Sequence, residues 1–177
     1  MRPGRTVFAW MLVVTVTLGL IVYSGAGCSE ATEPAPGVWT GGAAVGFLGN
    51  TADGTAFTAN LNVERFITRN FSIGPLLQFG VTHELTQIGL SGQAKFWIHL
   101  SRGFYVTLQG GAGFVHTDFP VGDTSFLIPL GVGFDYALRR DLSVTSTFLL
   151  NLSSVQSTGG GSTNAHVSPG LTFGLRF

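Results

Sequence analysis

Charged residues are scarce in this 177-residue chain, at 10% of the sequence, whereas globular domains average about 25%. A soluble domain with so few charges would lack a well-solvated surface. Basic and acidic residues balance at nine each, so the formal net charge is zero. That balance excludes the basic surplus that marks a nucleic-acid partner. Cysteine occurs once, as Cys28, which excludes an intrachain disulfide.

A helical period is also absent from Val38 onward. The chain shows instead eight runs in which large apolar residues alternate with small or polar ones, and a period of two is typical of β-strands. Breaks rich in turn-forming residues separate the runs. The eight predicted strands are Val38–Leu48, Ala56–Phe66, Phe71–Thr82, Thr86–His99, Phe104–His116, Thr124–Leu138, Leu142–Leu152 and Val167–Phe177.

The first 27 residues have the layout of a secretory signal peptide rather than of a retained anchor. Arg2 and Arg5 precede an apolar run from Val7 to Tyr23, and small residues follow. The sequence around Cys28 resembles a bacterial lipobox, which implies lipidation of that cysteine. Ordinary cleavage nearby, with Cys28 left as a free thiol, remains the alternative. Residues 28–37 are predicted to form a polar linker, and residues 38–177 one domain.

The large apolar face of each predicted strand is expected to point outward. The interior of an eight-stranded barrel is only just wide enough for side chains to fill it. Glycine, serine, threonine and amides fit inside, whereas phenylalanine, isoleucine and leucine from every strand do not. A closed barrel also satisfies every backbone hydrogen bond, as a membrane requires. Apolar-out, polar-in alternation therefore predicts an all-β fold, an eight-stranded antiparallel up-and-down transmembrane barrel.

Several features resemble the small bacterial outer-membrane barrels, namely the membrane domain of outer membrane protein A with its OmpX- and OmpW-like relatives. They are the eight alternating strands, the arginine-bearing short turns, the leader and the final Leu171-Thr-Phe-Gly-Leu-Arg-Phe177. The resemblance covers about residues 38–177 and implies that Phe177 and the last strand are recognised by the barrel assembly machinery. Aromatic residues at strand ends are expected to form an interfacial girdle: Trp39, Phe71, Phe96, Phe104, Tyr136 and Phe177.

Four charged residues fall on inward faces: Glu64, Lys95, Asp135 and Arg176. Each lies near the tight-turn end of an even-numbered strand, the end that we predict to be periplasmic. Because isolated charges in a narrow lumen are costly and paired ones are tolerated, we expect one cluster of two cations and two anions. The family resemblance implies a comparable interior cluster that makes the lumen discontinuous. Gln78, Gln93 and Gln109 are expected to extend this network.

The sequence favours a structural outer-membrane protein whose polar lumen is largely plugged, in the bacterial outer membrane, surrounded by its lipid and monomeric. The alternatives are a narrow pore for small solutes or ions, gated by the charged residues, and a lipid A-modifying enzyme. The enzyme hypothesis is disfavoured because His166 and Ser168 match a deacylase only in spacing and face the lumen. No metal site and no cofactor are expected. Pro75 and Pro129 interrupt predicted strands and are expected to lie at a bulge or at the rim.

Overall fold

Eight antiparallel strands form one closed barrel in the described part of the chain. The computed structural model describes residues 34–51, 53–101, 103–118, 123–154 and 166–177. Each strand pairs with its neighbours in sequence, and the last closes on the first. The strands are β1 (Trp39–Thr51), β2 (Gly54–Thr68), β3 (Phe71–Val81), β4 (Thr86–Ser101), β5 (Phe104–Thr117), β6 (Asp123–Arg139), β7 (Leu142–Ser153) and β8 (His166–Arg176).

The predicted fold class is confirmed, with strand boundaries that differ from the predicted ones by a few residues at most. Some predictions lie outside the described residues: the signal peptide 1–27, Cys28, most of the linker, Arg102 and most of the Ser153–Asn164 break. Among the described residues, no helix is long and apolar enough to cross a membrane.

The large apolar side chains point away from the barrel axis. In β8, Phe173 is 56% exposed and the adjacent Thr172 is 2% exposed, as a period of two requires. The same alternation runs through Ile128 and Leu150, which are exposed, and through Asn151, which is buried. The interior accordingly carries mostly small and polar residues, and the outer surface is a continuous apolar belt.

The pairing register fixes how the strands are staggered. The paired residues can be followed from Thr40 on β1 once around the sheet, and they return to β1 at Asn50. The strands are therefore staggered by about ten residues around the barrel, and such strands tilt by about 35–45° from the barrel axis. Both ends of the described barrel, Val38 and Phe177, lie at the end that carries the short β2–β3, β4–β5 and β6–β7 turns. We call this the turn end and the opposite one the loop end.

The six girdle aromatics all lie at the turn end. Phe71 pairs with Phe96 and Phe104 with Tyr136 across neighbouring strands. A second set of exposed aromatics lies towards the loop end: Phe47, Phe57, Phe114 and Phe126. The ten-residue step from Phe104 to Phe114 spans about 25 Å along the axis at the usual rise and tilt. That height matches the apolar band of transmembrane barrels.

The expectation that Pro75 and Pro129 lie at a bulge or rim is wrong. Pairing with β2 is interrupted opposite Pro75, yet the register is the same on both sides of the gap. Pairing between β5 and β6 is interrupted in the same way at Pro129. Each proline keeps its pairing with the other neighbouring strand, at Gly92 and Asn151 respectively. Because proline lacks only the donor on one side, the ladder loses local bonds without a shift.

Candidate functional site

The four inward charges come together as two ion pairs at the turn end of the lumen. Glu64 on β2 pairs with Lys95 on β4, and Asp135 on β6 pairs with Arg176 on β8. One strand lies between the two strands that carry each pair. The two side chains meet because they extend into the narrow lumen. Lys95 is half-buried, and the other three residues are buried.

Glu64 is surrounded by donors. Besides the Lys95 ammonium group, the Asn62 amide donates to Glu64 Oε1, and the Ser72 hydroxyl donates to Oε2 at 2.7 Å. The indole N–H of Trp97 donates in turn to Ser72 Oγ at 2.9 Å. Full hydrogen bonding of this kind offsets the cost of burying the carboxylate.

Asp135 and Arg176 form a bidentate pair. Arg176 Nε donates to Asp135 Oδ2 at 2.8 Å, and Nη2 donates to Oδ1 at 2.9 Å. Nη2 also donates to Ser143 Oγ at 3.2 Å. This fork geometry is the strongest form of arginine–carboxylate contact, so the two side chains connect β6 and β8 across β7.

Trp97 joins the two ion pairs, and sequence reasoning missed this role. Lys95 Nζ lies 5.4 Å and Arg176 Cζ lies 4.9 Å from its ring centroid, within the range of cation–π attraction. Its backbone N–H donates to the carbonyl of Asn70 at 2.8 Å. The available signal was its inward position, since a large aromatic residue is out of place on a face otherwise made of small or polar residues.

An aromatic group closes around Trp97 at the turn end. The Phe66 ring lies 5.2 Å and the Tyr105 ring 6.1 Å from the Trp97 ring, measured between centroids. Phe66 is 1% and Trp97 2% exposed. We call Phe66, Trp97 and Tyr105 with the two ion pairs the floor of the lumen. The three aromatic side chains pack together at this level of the barrel.

Aliphatic side chains are also buried towards the loop end of the barrel. Leu48, Val115 and Leu127 lie on inward faces, and Leu85 from the β3–β4 connection is buried as well. The Leu85 N–H donates to the Thr82 hydroxyl at 2.9 Å, which fixes the turn that carries this side chain. Each of these four side chains is less than 5% exposed. We call this set the aliphatic cap.

A polar chamber of about 50 Å³ lies on the lumen side of the floor, which is room for a few water molecules. Gln93 and Gln109 line it together with all four charged residues. Gln78 does not line it. Gln78 Oε1 and Gln93 Nε2 are buried without a hydrogen-bond partner among the described residues. Of the three glutamines expected to extend the network, two therefore share the chamber with the ion pairs.

Phe177 closes the seam between the first and last strands. Its backbone exchanges two hydrogen bonds with Gly41, at 2.8 and 2.9 Å. Its ring lies directly over Gly41, where a side chain would leave no room. The terminal aromatic residue is thus part of the closed sheet, with 37% of its surface exposed.

The histidines do not form a catalytic or metal-binding constellation in the described residues. Ser168 is buried, and its hydroxyl donates a hydrogen bond to the Asn50 carbonyl at 3.1 Å. The hydroxyl of the His166–Ser168 pair is therefore bonded across the seam between β8 and β1. His116 bonds Thr124 at 2.8 Å and approaches Asp118 at 3.7 Å near the loop end. Across the described part of the chain, no group of three or more metal-ligating residues is present.

Comparison with known proteins identifies the fold. No protein-family model and no curated protein sequence matches the chain. Neisserial surface protein A is similar in structure, with a TM-score of 0.59 at 12% identity over 78% of this chain and 94% of that one. A designed transmembrane β-barrel has a TM-score of 0.54 at 10% identity, over 82% of this chain and 98% of that one. The N-terminal barrel of Pseudomonas aeruginosa OprF has a TM-score of 0.51 at 12% identity, over 78% of this chain and 97% of that one. The natural neighbours are bacterial outer-membrane barrels, and this chain shares their fold.

Proposed function

We propose that this protein is an integral barrel of the bacterial outer membrane with a structural role and a lumen closed at both ends. The observation that carries the proposal is the pair of filled levels inside the barrel, the floor at one end and the aliphatic cap at the other. Between them the polar chamber holds only a few waters. An interior so arranged supports the barrel from within and offers no continuous aqueous path.

The orientation follows from the turns. Small outer-membrane barrels have short periplasmic turns and longer external loops, so the turn end and its floor face the periplasm. The belt of outward apolar side chains contacts the membrane lipid. The closed sheet leaves no free strand edge for another copy to pair with, which supports a monomer. The terminal strand with Phe177 is the segment that we expect the barrel assembly machinery to bind.

Single-channel conductance in a planar bilayer tests the closed lumen. We expect the wild-type protein to show no discrete openings. Each closure is sufficient by itself, so the floor variant Phe66→Ala/Trp97→Ala and the cap variant Leu48→Ala/Leu127→Ala should also be silent. The combination of all four changes should conduct. Heat-modifiable gel migration checks that each variant is folded in the outer-membrane fraction.

A narrow pore is the second candidate, and the polar chamber with its ion pairs favours it. That candidate predicts wild-type openings whose frequency rises when the Glu64–Lys95 pair alone is removed. Discrete wild-type conductance would therefore overturn the closed-lumen proposal and establish the pore. We propose no enzymatic role, because Ser168 is bonded within the seam and faces away from membrane lipid.

A further inference from the structure

The exposed charges of the barrel are separated by sign. The exposed arginines of the described chain lie at the turn end, on β2, on the β2–β3 turn and around the β6–β7 turn: Arg65, Arg69, Arg139 and Arg140. The exposed acids at the loop end are Glu84 and Asp118. Asp141 is the single exposed acid among the described residues of the turn end. The turn-end rim is therefore basic, at the level where the girdle meets the lipid headgroups.

Arg65 differs from the other three arginines because it points outward from a strand. Its neighbours on the same face, Val63 and Ile67, are 48% and 46% exposed and belong to the apolar belt. A charged group on a lipid-facing surface extends towards the interface to reach polar partners. Arg65 is thus held at the edge of the hydrocarbon, where phosphate groups of the lipid are the available anions.

Trp39 positions the Arg65 guanidinium. The two residues are directly paired across β1 and β2, and Arg65 Cζ lies 5.7 Å from the centroid of the Trp39 ring. Trp39 is itself 58% exposed, so its ring lies among the lipids. A guanidinium stacked on an aromatic face keeps its donors free for bidentate contact with a phosphate. Arg69, four residues further along the chain and also exposed, adds a second cation on the same side.

We propose that Trp39 and Arg65, supported by Arg69, form a headgroup site for an anionic phospholipid in the leaflet at the turn end. The phosphodiester binds the guanidinium, and the acyl chains lie along the apolar belt beside Val63. This site rests on the proposed membrane location. It goes beyond it by assigning a lipid class and a fixed position on the barrel wall, next to the seam between β1 and β8.

Quenching of Trp39 fluorescence tests the site directly. The full chain is refolded into phosphatidylcholine vesicles that contain a minority of brominated phosphatidylglycerol or, in parallel, brominated phosphatidylcholine. All proteins carry Trp10→Phe, and Trp97 is shielded inside the lumen. One arginine near a membrane surface favours an anionic lipid by about fivefold. We therefore expect brominated phosphatidylglycerol to quench with about a fivefold higher association constant, reduced at high salt.

Two variants with the same change of charge separate a built site from a generally basic rim. Arg65→Gln should reduce the preference well below fivefold, to the part that Arg69 supplies, whereas Arg140→Gln, in the turn on the other side of the barrel, should retain it. Equal loss in both variants, or an unchanged preference in Arg65→Gln, would overturn the site. If neither brominated lipid quenches Trp39, the chain has not inserted, and the proposed membrane location fails instead.

Discussion

Removal of the Asp135 carboxylate is expected to destabilise the barrel by about 3–5 kcal/mol, the usual cost of leaving one charge of a buried pair without its partner. Arg176 would remain at 3% exposure in the floor, held between β6 and β8. We expect it to stay in place, because the Trp97 ring centroid lies 4.9 Å from its guanidinium carbon and the chamber that it lines has room for only a few water molecules. The substitution Asp135→Ala therefore removes the bidentate carboxylate partner of a buried cation.

The magnitude follows from the hydrogen bonds that the substitution removes and from the interactions that Arg176 keeps. Two charge-assisted hydrogen bonds, at 2.8 and 2.9 Å, disappear, and each is worth about 1.5–3 kcal/mol. The hydrogen bond to Ser143 at 3.2 Å remains, and so does the cation–π interaction with Trp97, worth about 2 kcal/mol when desolvated. These remaining interactions and water in the chamber keep the net loss near the middle of the range.

Urea unfolding of the refolded protein in lipid vesicles, followed by tryptophan fluorescence, measures this loss. Asp141→Ala is the matched control, because Asp141 is exposed in the β6–β7 turn and should change stability by less than about 0.5 kcal/mol. The double variant Asp135→Leu/Arg176→Met replaces the pair by apolar side chains and should recover most of the loss, since such replacements are often neutral.

Two outcomes would refute this reasoning. A loss below about 1 kcal/mol for Asp135→Ala, within the range of an ordinary substitution, would show that water or Ser143 satisfies the arginine. A double variant as unstable as the single one would show that side-chain volume in the floor, rather than the lost carboxylate partner of Arg176, determines stability.

Two further predictions concern the backbone. A Cβ at Gly113 would overlap the Leu90 carbonyl oxygen, whereas nothing lies within 4 Å of one at Gly92. Gly113→Ala should therefore cost about 1–3 kcal/mol and Gly92→Ala almost nothing, in the same urea assay. Asn50 has a φ of 55° and donates to the Val167 carbonyl at 2.8 Å, so Asn50→Gly should lose only the bond, about 1 kcal/mol. Asn50→Ala should lose about 1–2 kcal/mol more, because alanine is strained in the left-handed backbone conformation. Equal losses for the two variants, measured by thermal gel migration, would contradict the predicted backbone strain.

The sequence predicts most of the fold because the two-residue alternation of apolar and polar side chains carries the information on how the strands are oriented. Alternation assigns each residue to a face, and the number of strands assigns each strand a direction. These two facts are enough to place Glu64 and Arg176 inside the barrel and at the same end. Strand β1 extends to Thr51, beyond the predicted Leu48, because its pairing with β2 resumes at Thr51 and Gly54 after an irregularity where Asn50 has a positive φ. The Asn50 side chain is also bonded to the Val167 carbonyl of β8 at the seam. That seam contact connects the two ends of the sheet and has no local signal.

Features that depend on barrel closure could not be predicted. Trp97 contacts Arg176 only because the stagger of the sheet brings β4 and β8 to the same level across the lumen. Leu85 falls in a short break of the sequence pattern, and its burial beneath the loop end depends on the width of the closed mouth. Pro129 does not distort the sheet as its position in a strand suggests, because the missing donor falls on one side while pairing with Asn151 continues on the other.

The floor also explains how the sheet keeps its register. A one-residue slip of β8 would move Arg176 to the lipid face and Phe177 into the lumen, because the side-chain period is two. At the turn end, near the interface, an arginine on the lipid face costs only about 0–1 kcal/mol, so the larger penalty is that Asp135 would lose its partner. A two-residue slip preserves the faces, yet it carries the guanidinium away from Asp135 and from Trp97. Apolar alternation alone penalises slips by an odd number of residues and accepts slips by an even number. The ion pairs in the floor penalise both kinds of slip. The buried charges therefore specify one strand pairing among several that the outer surface would accept.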